Sequence, residues 1–115
     1  MTNNVTEPGA VWLGLDLGTQ SVRAIAVSAT GDVLGVGSQR LTSQRDGHRH
    51  EQNPEEWWRA VAAASYTAVV GVPPGSIRGV AVDGTSGTIL LTDRSGRPLT
   101  PGLMTAEATS AVRDA

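Results

Sequence analysis

A strand, a tight turn and a second strand are encoded in one stretch, Leu13-Gly14-Leu15-Asp16-Leu17-Gly18-Thr19-Gln20-Ser21-Val22-Arg23. The stretch belongs to an apolar run over residues 10–18 that closes on a glycine and predicts a buried strand. Apolar and polar residues then alternate over 22–28, which predicts a second strand. A further turn signal precedes residues 33–39, the third predicted strand. We therefore expect an antiparallel meander of three strands.

A helix is predicted after residues 42–52, a polar stretch typical of a surface loop. Asn53 can cap the helix, and Pro54 suits its first turn. Glu55 and Glu56 follow, where the helix dipole favours negative charge. Residues that recur at helical spacing predict one apolar face. They are Trp58, Val61, Ala62, Tyr66 and Val69.

Two more strands are predicted after the helix, at residues 77–82 and 88–92. The first is almost continuously apolar, so we expect it at the centre of the sheet. Prolines at positions 98 and 101 argue against regular structure there, and residues 105–115 could begin a helix. The order β-β-β-α-β-β predicts an α/β fold with a mixed sheet.

Composition limits the classes of protein that this chain can belong to. Its 115 residues suffice for one small domain or part of one, with residues 1–9 as a disordered arm and 10–115 as the folded part. A net charge of −2 argues against nucleic-acid binding, and the absence of cysteine excludes disulfides and thiolate metal sites. Because no signal peptide or membrane-length apolar run occurs, we expect a cytoplasmic protein with no membrane contact.

The turn after the first strand has the chemistry of a phosphate site. Gly18 lets the backbone approach a ligand closely. Thr19, Gln20 and Ser21 offer backbone N–H groups and hydroxyls to phosphate oxygens. Asp16 can hold Mg²⁺ through water, because hard cations prefer oxygen ligands. An ordinary hairpin is the alternative, and these residues alone leave both open; a Walker phosphate loop is excluded, since the chain has no lysine.

Several other residues could have a catalytic or binding role, but a structural role is favoured for most of them. Asp83 could be a general base, although an Asp that caps its own loop is favoured. Residues 48–51 could hold a metal, although a solvated loop is favoured. Trp57 and Trp58 are both expected to pack, with Trp58 in the core. Arg23 could contact phosphate or face solvent.

Four segments together resemble the FGGY family of carbohydrate kinases. The stretch LGLDLGTQSVR is similar to that family's first phosphate motif, Gly-Ile/Leu-Asp-Leu/Phe-Gly-Thr-Thr/Gln/Ser-Ser. The likeness continues in register over roughly residues 11–104. Its further segments are ATGDVL at 29–34, EQNPEEWW at 51–58, and DGTSGT at 83–88 with the Asp-x-x-Gly-x-Pro-Leu pattern at 93–99.

This resemblance implies a ribonuclease-H-like (actin/hexokinase-like) N-terminal lobe, incomplete in this chain, of a two-lobed kinase that binds ATP, Mg²⁺ and a sugar in its cleft. It implies that Asp16 serves the Mg²⁺ and the phosphates, and that the turn Gly18–Ser21 contacts phosphate. It also implies that the loop with Gly84, Thr85 and Ser86 lies near the sugar. The Asp-Gly-Thr-Ser form at residues 83–86 looks more like the sugar loop of the ribulose- and xylulose-kinase branch than like the Gln-Met-His form, which is usual in bacterial xylulose kinases.

The last part of the chain departs from the family pattern. Glu107 could replace the acid of the family's Asn-Asp-x-Arg segment, but the arginine is missing. The resemblance implies that the catalytic base and the adenosine site lie beyond Ala115. We therefore expect part of a ketopentose kinase, inactive by itself and dimeric or poorly soluble through its exposed surface. The alternative is a non-catalytic sugar- or nucleotide-binding or assembly module of the same fold; an actin-like scaffold gives no reason for the sugar-loop match.

Overall fold

The computed structural model describes residues 9–104, which form two sheets and one helix. In chain order the elements are β1 (Val11–Leu17), β2 (Ser21–Ser28), β3 (Val33–Arg40), β4 (Gln44–Asp46), β5 (Arg49–Gln52), α1 (Pro54–Val69), β6 (Ile77–Gly84) and β7 (Gly102–Leu103). The main sheet has the order β3-β2-β1-β6. Its first three strands are antiparallel and β6 runs parallel to β1, so the predicted meander and mixed sheet are confirmed.

Two sequence predictions concern residues outside the described part. The predicted arm at residues 1–9 falls there, apart from Gly9, and so does the helix predicted from Thr105. Within residues 9–104, no helix has the length and apolar character needed to cross a membrane.

The prediction that β6 is a central strand was wrong. Within the described residues it pairs with β1 alone and forms the edge of the main sheet. Its apolar side chains are largely exposed, 57% for Val80 and 65% for Val82. A continuous apolar run is typical of parallel strands that are buried on both faces. Within residues 9–104, however, β6 has a neighbour on one edge only and its valines are exposed, so the run predicted neither the position nor the burial of this strand.

The predicted apolar face of α1 was wrong for Trp58, Ala62 and Tyr66, which are exposed, whereas Val61 and Val69 pack against the core as predicted. Trp58 and Tyr66 are 71% and 72% exposed, so the tryptophan expected in the core lies on the surface. The buried residues of the helix instead recur every four positions. They are Ala60, Ala64 and Ala68.

Two glycines of β3 explain why alanines are the residues of α1 that face the sheet. A Cβ atom at Gly35 would overlap the carbonyl oxygen of Ala68, and one at Gly37 would overlap that of Ala64. The helix backbone therefore lies almost directly on the strand, and only small side chains fit between them. The resulting core is small, with Leu13, Val22 and Ala24 from the sheet beside the three alanines.

The polar stretch 42–52 is not the surface loop that its composition predicted. It contains β4 and β5, which form a second sheet with β7 in the order β4-β5-β7. His50 and Gln52 point inward and are buried. The predicted strand at 88–92 was wrong in turn, because only the isolated bridges Ile89↔Leu103 and Thr92↔Pro98 form there.

The start of α1 agrees with the prediction and positions the site. The side chain of Asn53 accepts a hydrogen bond from the backbone N–H of Glu55 at 3.0 Å, and Pro54 occupies the first turn. This cap fixes the beginning of the helix beside the turn that joins β1 to β2. The carboxyl ends of the parallel strands β1 and β6 reach the same end of the sheet.

Candidate functional site

The turn between β1 and β2 is tightly closed and requires glycine at its first position. The N–H of Gly18 donates to the carbonyl of Ser21 at 2.9 Å. A Cβ at Gly18 would lie 2.9 Å from that carbonyl oxygen and 3.0 Å from Nη2 of Arg23. Any other residue would force the turn open, so its shape depends on this glycine.

Gln52 fastens the turn to the start of α1. Its Nε2 donates to the carbonyl of Thr19 at 2.6 Å and to Oγ of Ser43 at 2.9 Å. Its Oε1 accepts from Nε1 of Trp57 at 2.8 Å, and the side chain is only 3% exposed. Sequence reasoning missed this role. Its position in the sequence could have indicated the role, because Gln52 directly precedes the Asn53 cap and must therefore lie at the start of α1.

The same turn directs its carbonyl groups inward and leaves amide groups available. The carbonyl of Thr19 accepts from Gln52, that of Gln20 from the N–H of Leu41 at 2.8 Å, and that of Ser21 from Gly18. The backbone N–H groups of Thr19 and Gln20 donate no hydrogen bond within residues 9–104. A turn whose carbonyls are satisfied and whose amides are not is suited to an anion.

Asp16 and Arg23 form an ion pair beside this turn, on the face of the sheet opposite α1. Nη2 of Arg23 lies 2.6 Å from Oδ2 of Asp16, and Nε donates to the same oxygen at 3.2 Å. Arg23 therefore does not face solvent alone, and its guanidinium lies against both Asp16 and Gly18 of the turn. Both side chains are about half exposed, so the pair contributes only about 0.2–1 kcal/mol. It can open at little cost.

The Asp16 carboxylate suits a hydrated Mg²⁺. Arg23 contacts only Oδ2, and Oδ1 makes no hydrogen bond to the described part of the chain. Half exposure leaves room for the water shell that Mg²⁺ retains. The residues present thus fit a cation held through water next to bound phosphates.

Asp83 lies beside Asp16 in the parallel register of β6 and β1. Its Oδ1 accepts a hydrogen bond from the N–H of Gly84 at 2.9 Å. This contact is what the loop-capping interpretation predicts. A carboxylate engaged with its own loop is less available as a base.

A cavity of about 170 Å³ joins two of the regions singled out in the sequence. Gly18 lies on one side, Gly84 and Thr85 on another, and Gln52 and Trp57 complete the wall toward α1. Typical ligand pockets are larger, at roughly 300–1,000 Å³, so this cavity would hold only part of a sugar or nucleotide. Ser86 is not among its lining residues, and Glu107 lies outside the described residues.

The solvated-loop interpretation of residues 48–51 was wrong, because residues 49–51 belong to β5 and His50 is buried. Trp57 packs as expected, with its ring against Gly102. Across residues 9–104, no group of three His, Cys, Asp or Glu side chains could hold a metal ion.

Comparisons with known proteins agree on one family. The family model described as "FGGY family of carbohydrate kinases, N-terminal domain" matches residues 11–112. An FGGY carbohydrate kinase domain-containing protein of Homo sapiens is 31% identical over 100 residues, which are 86% of this chain and 18% of that protein. A xylulose kinase of Klebsiella pneumoniae is 30% identical over 95 residues, covering 82% of this chain and 20% of that protein.

Solved structures give the same result for the fold. A "xyloylose kinase" from Brucella ovis superposes with a TM-score of 0.76 at 28% identity, over 81% of this chain and 20% of that one. A gluconate kinase from Lactobacillus acidophilus superposes with a TM-score of 0.79 at 18% identity, over 91% and 22%, which bears on the fold alone. The chain therefore spans about a fifth of the length of these relatives.

Proposed function

The chain belongs to the FGGY family of carbohydrate kinases and has the mixed α/β, actin-like fold of their N-terminal lobe, and from this premise we propose that it supplies the phosphate-contacting part of a sugar kinase site. Members of this family use MgATP and bind a sugar. The reaction we propose is transfer of a phosphoryl group from MgATP to a hydroxyl of a ketopentose, of the xylulose or ribulose type. The observation that carries the proposal is the cavity shared by the turn at Gly18 and the loop at Gly84.

On the nucleotide side, each residue of the turn has a proposed role. The N–H groups of Thr19 and Gln20 and the hydroxyl of Ser21 would bind phosphate oxygens, and Gly18 would allow their close approach. Asp16 would hold Mg²⁺ through water, and the ion would neutralise charge on the phosphates. The free Oδ1 of Asp16 and the two unengaged amides support these roles.

On the sugar side, we assign the loop at Gly84, Thr85 and Ser86, with Glu107 as a further sugar contact. Support comes from the position of Gly84 and Thr85 in the cavity wall. Thr85 Oγ1 lies 2.8 Å from Oγ1 of Thr88, so the loop has hydroxyl groups that can exchange this bond for one to a sugar. In this proposal residues 10–115 form part of one lobe.

We propose that the chain alone does not turn over substrate. The carboxylates at the carboxyl ends of β1 and β6 are both engaged, Asp16 with Arg23 and Asp83 with its own loop. Neither is held ready to take a proton from a sugar hydroxyl. At about 170 Å³ the cavity is also smaller than a typical ligand pocket, so it would enclose only part of the reacting groups.

The experiment grafts residues 10–115 in place of the matching segment of the Klebsiella pneumoniae xylulose kinase. ADP release is then measured with D-xylulose, D-ribulose, L-ribulose and glycerol. We expect activity in the graft and none in the chain alone, with Asp16→Asn lowering kcat of the graft by at least about 100-fold, as loss of a metal-supporting group does. A Gln44→Asn graft is the matched control on an exposed strand. A graft that folds but has no activity, or that is unaffected by Asp16→Asn, would refute the proposed role.

A further inference from the structure

The side of α1 that faces away from the main sheet carries a row of apolar residues, which we call the outer row. Its members are Trp58, Ala62, Tyr66 and Val70, the last being the residue that caps the helix. They follow one another at intervals of four residues and therefore lie along one side of the helix. All four are exposed. Exposed Trp and Tyr side chains in a row of this kind are typical anchors of a protein interface.

The charged residues that usually occupy the solvent side of a surface helix are absent along most of α1. Its only charged residues lie in the first six positions, and none occurs from Ala60 to Val69. The core does not need the outer row, because Ala64 and Ala68 pack on the sheet from the opposite side of the helix. An apolar surface that neither the core nor solvation explains marks an interaction site.

We propose that the outer row binds the outer row of a second copy of this chain, with the two α1 helices antiparallel about a two-fold axis. The row is symmetric about residue 64, since its inner and outer members lie at equal distances on either side. An antiparallel pair therefore sets Trp58 against Val70 of the partner subunit and Tyr66 against Ala62 of the partner subunit. Each large side chain meets a smaller one, so the two helices can approach closely.

The ends of the paired helices are complementary in charge. α1 has no basic residue in its last turn, where the helix dipole is negative. In the antiparallel pair, Arg59 is level with residue 69 of the second copy and thus lies beside that negative end. The two-fold axis repeats this contact, and no like charges meet along the row itself. Charge therefore favours a second copy of this chain as the occupant.

The outer row offers the area of a weak dimer. Trp58 and Tyr66 are 71% and 72% exposed, so covering them removes about 200–350 Å² of surface from each copy. The two copies then bury about 400–700 Å² through these side chains, and the rest of the row brings the total near the roughly 1,000 Å² of a specific interface. We expect a dissociation constant on the order of 10–100 μM, so the chain is monomeric at lower concentrations.

Sedimentation of the full chain from about 1 μM to about 1 mM tests the interface. The mass should rise from one copy to two, and Tyr66→Arg should raise the dissociation constant at least about 30-fold. Val36→Arg is the matched control and should leave it unchanged. Val36 is also exposed, at 62%, but it lies between Gly35 and Gly37, which face α1, and therefore points to the other side of the sheet.

Two results would overturn the proposal. One is a natural chain that remains monomeric over the whole concentration range. The other is a dimer that Val36→Arg disrupts and Tyr66→Arg does not, because the copies would then meet through the opposite face of the sheet. Circular dichroism checks that both variants keep their fold, which we expect because both positions are exposed.

A mixing experiment tests the antiparallel arrangement. Ala62→Glu and Tyr66→Lys each place a charge in the interface and should weaken the dimer of that variant. In a mixed antiparallel dimer the two new charges face each other, while the second contact remains Tyr against Ala. The mixed dimer should therefore form about tenfold more tightly than either variant with itself, measured with one variant labelled at its N-terminus. Parallel helices would bring no such gain, so equal affinities would overturn the arrangement; neither result depends on kinase activity.

Discussion

Replacing Gln52 by leucine tests whether its side chain holds the phosphate turn. Leucine has a similar size but makes none of the three hydrogen bonds to Thr19, Ser43 and Trp57. Ser43 is exposed and can bond to water instead. The Thr19 carbonyl and the Trp57 indole N–H are half-buried, and each unsatisfied group costs about 1–3 kcal/mol. We expect the free energy of unfolding to fall by about 2–4 kcal/mol.

The measurement is urea unfolding of the full chain, followed by tryptophan fluorescence and by far-ultraviolet circular dichroism. Gln44→Leu is the matched control, because Gln44 is exposed in β4 of the same small sheet. A surface substitution of this kind should change the free energy of unfolding by no more than about 0.5 kcal/mol. If the two variants lose the same stability, Gln52 is not what holds the turn. If the free energy of unfolding depends more steeply on urea concentration for Gln52→Leu alone, the substitution has instead changed the unfolded state.

Three further predictions concern the helix and its surroundings. The Thr42 hydroxyl and N–H donate hydrogen bonds to the Glu56 carboxylate and lower its pKa below the ordinary value of 4.5. The ionised carboxylate therefore stabilises the fold above pH 4.5, and this stabilisation is lost as the pH falls through the lowered pKa. Acid unfolding should thus show Glu56→Gln less stable than the natural chain at pH 6 and the two converging at low pH; a constant difference would contradict this. Gly37→Ala should cost about 1–3 kcal/mol in urea unfolding by pushing the helix off β3, whereas Gly71→Ala, with open space around it, should be neutral or slightly stabilising. Trp58→Gln should keep the thermal midpoint within about 2 °C, because its ring is exposed, and a large drop would mean that it packs against something.

The sequence correctly predicted those parts of the fold that depend on patterns within a few neighbouring residues. The strand–turn–strand around Gly18 follows from a buried run that ends in a glycine. The start of α1 at Asn53 and Pro54 follows from capping chemistry. Each of these depends on residues within a few positions of one another, so a single sequence suffices to predict them.

The features that sequence reasoning missed depend on contacts between distant segments. The alanine face of α1 is set by Gly35 and Gly37, and the register between strand and helix cannot be read from either element alone. β5 was missed because its buried residues, His50 and Gln52, are polar, while strand patterns rely on buried apolar residues. Of the candidate site residues, the cavity brings Gly18 together with Gly84 and Thr85, which depends on the parallel pairing of β1 with β6.

The parallel pairing of β1 with β6 has a consequence for the order of events during folding. β1, β2, β3 and α1 are close in sequence and can assemble soon after they are synthesised. β6 follows only after the second sheet and the helix, so one edge of β1 must wait for it. A pairing this distant in sequence is intrinsically slow, because the loop must close before any contact forms. We therefore expect the meander and α1 to be formed in the folding transition state, while the cavity between Gly18 and Gly84 appears only in the last step.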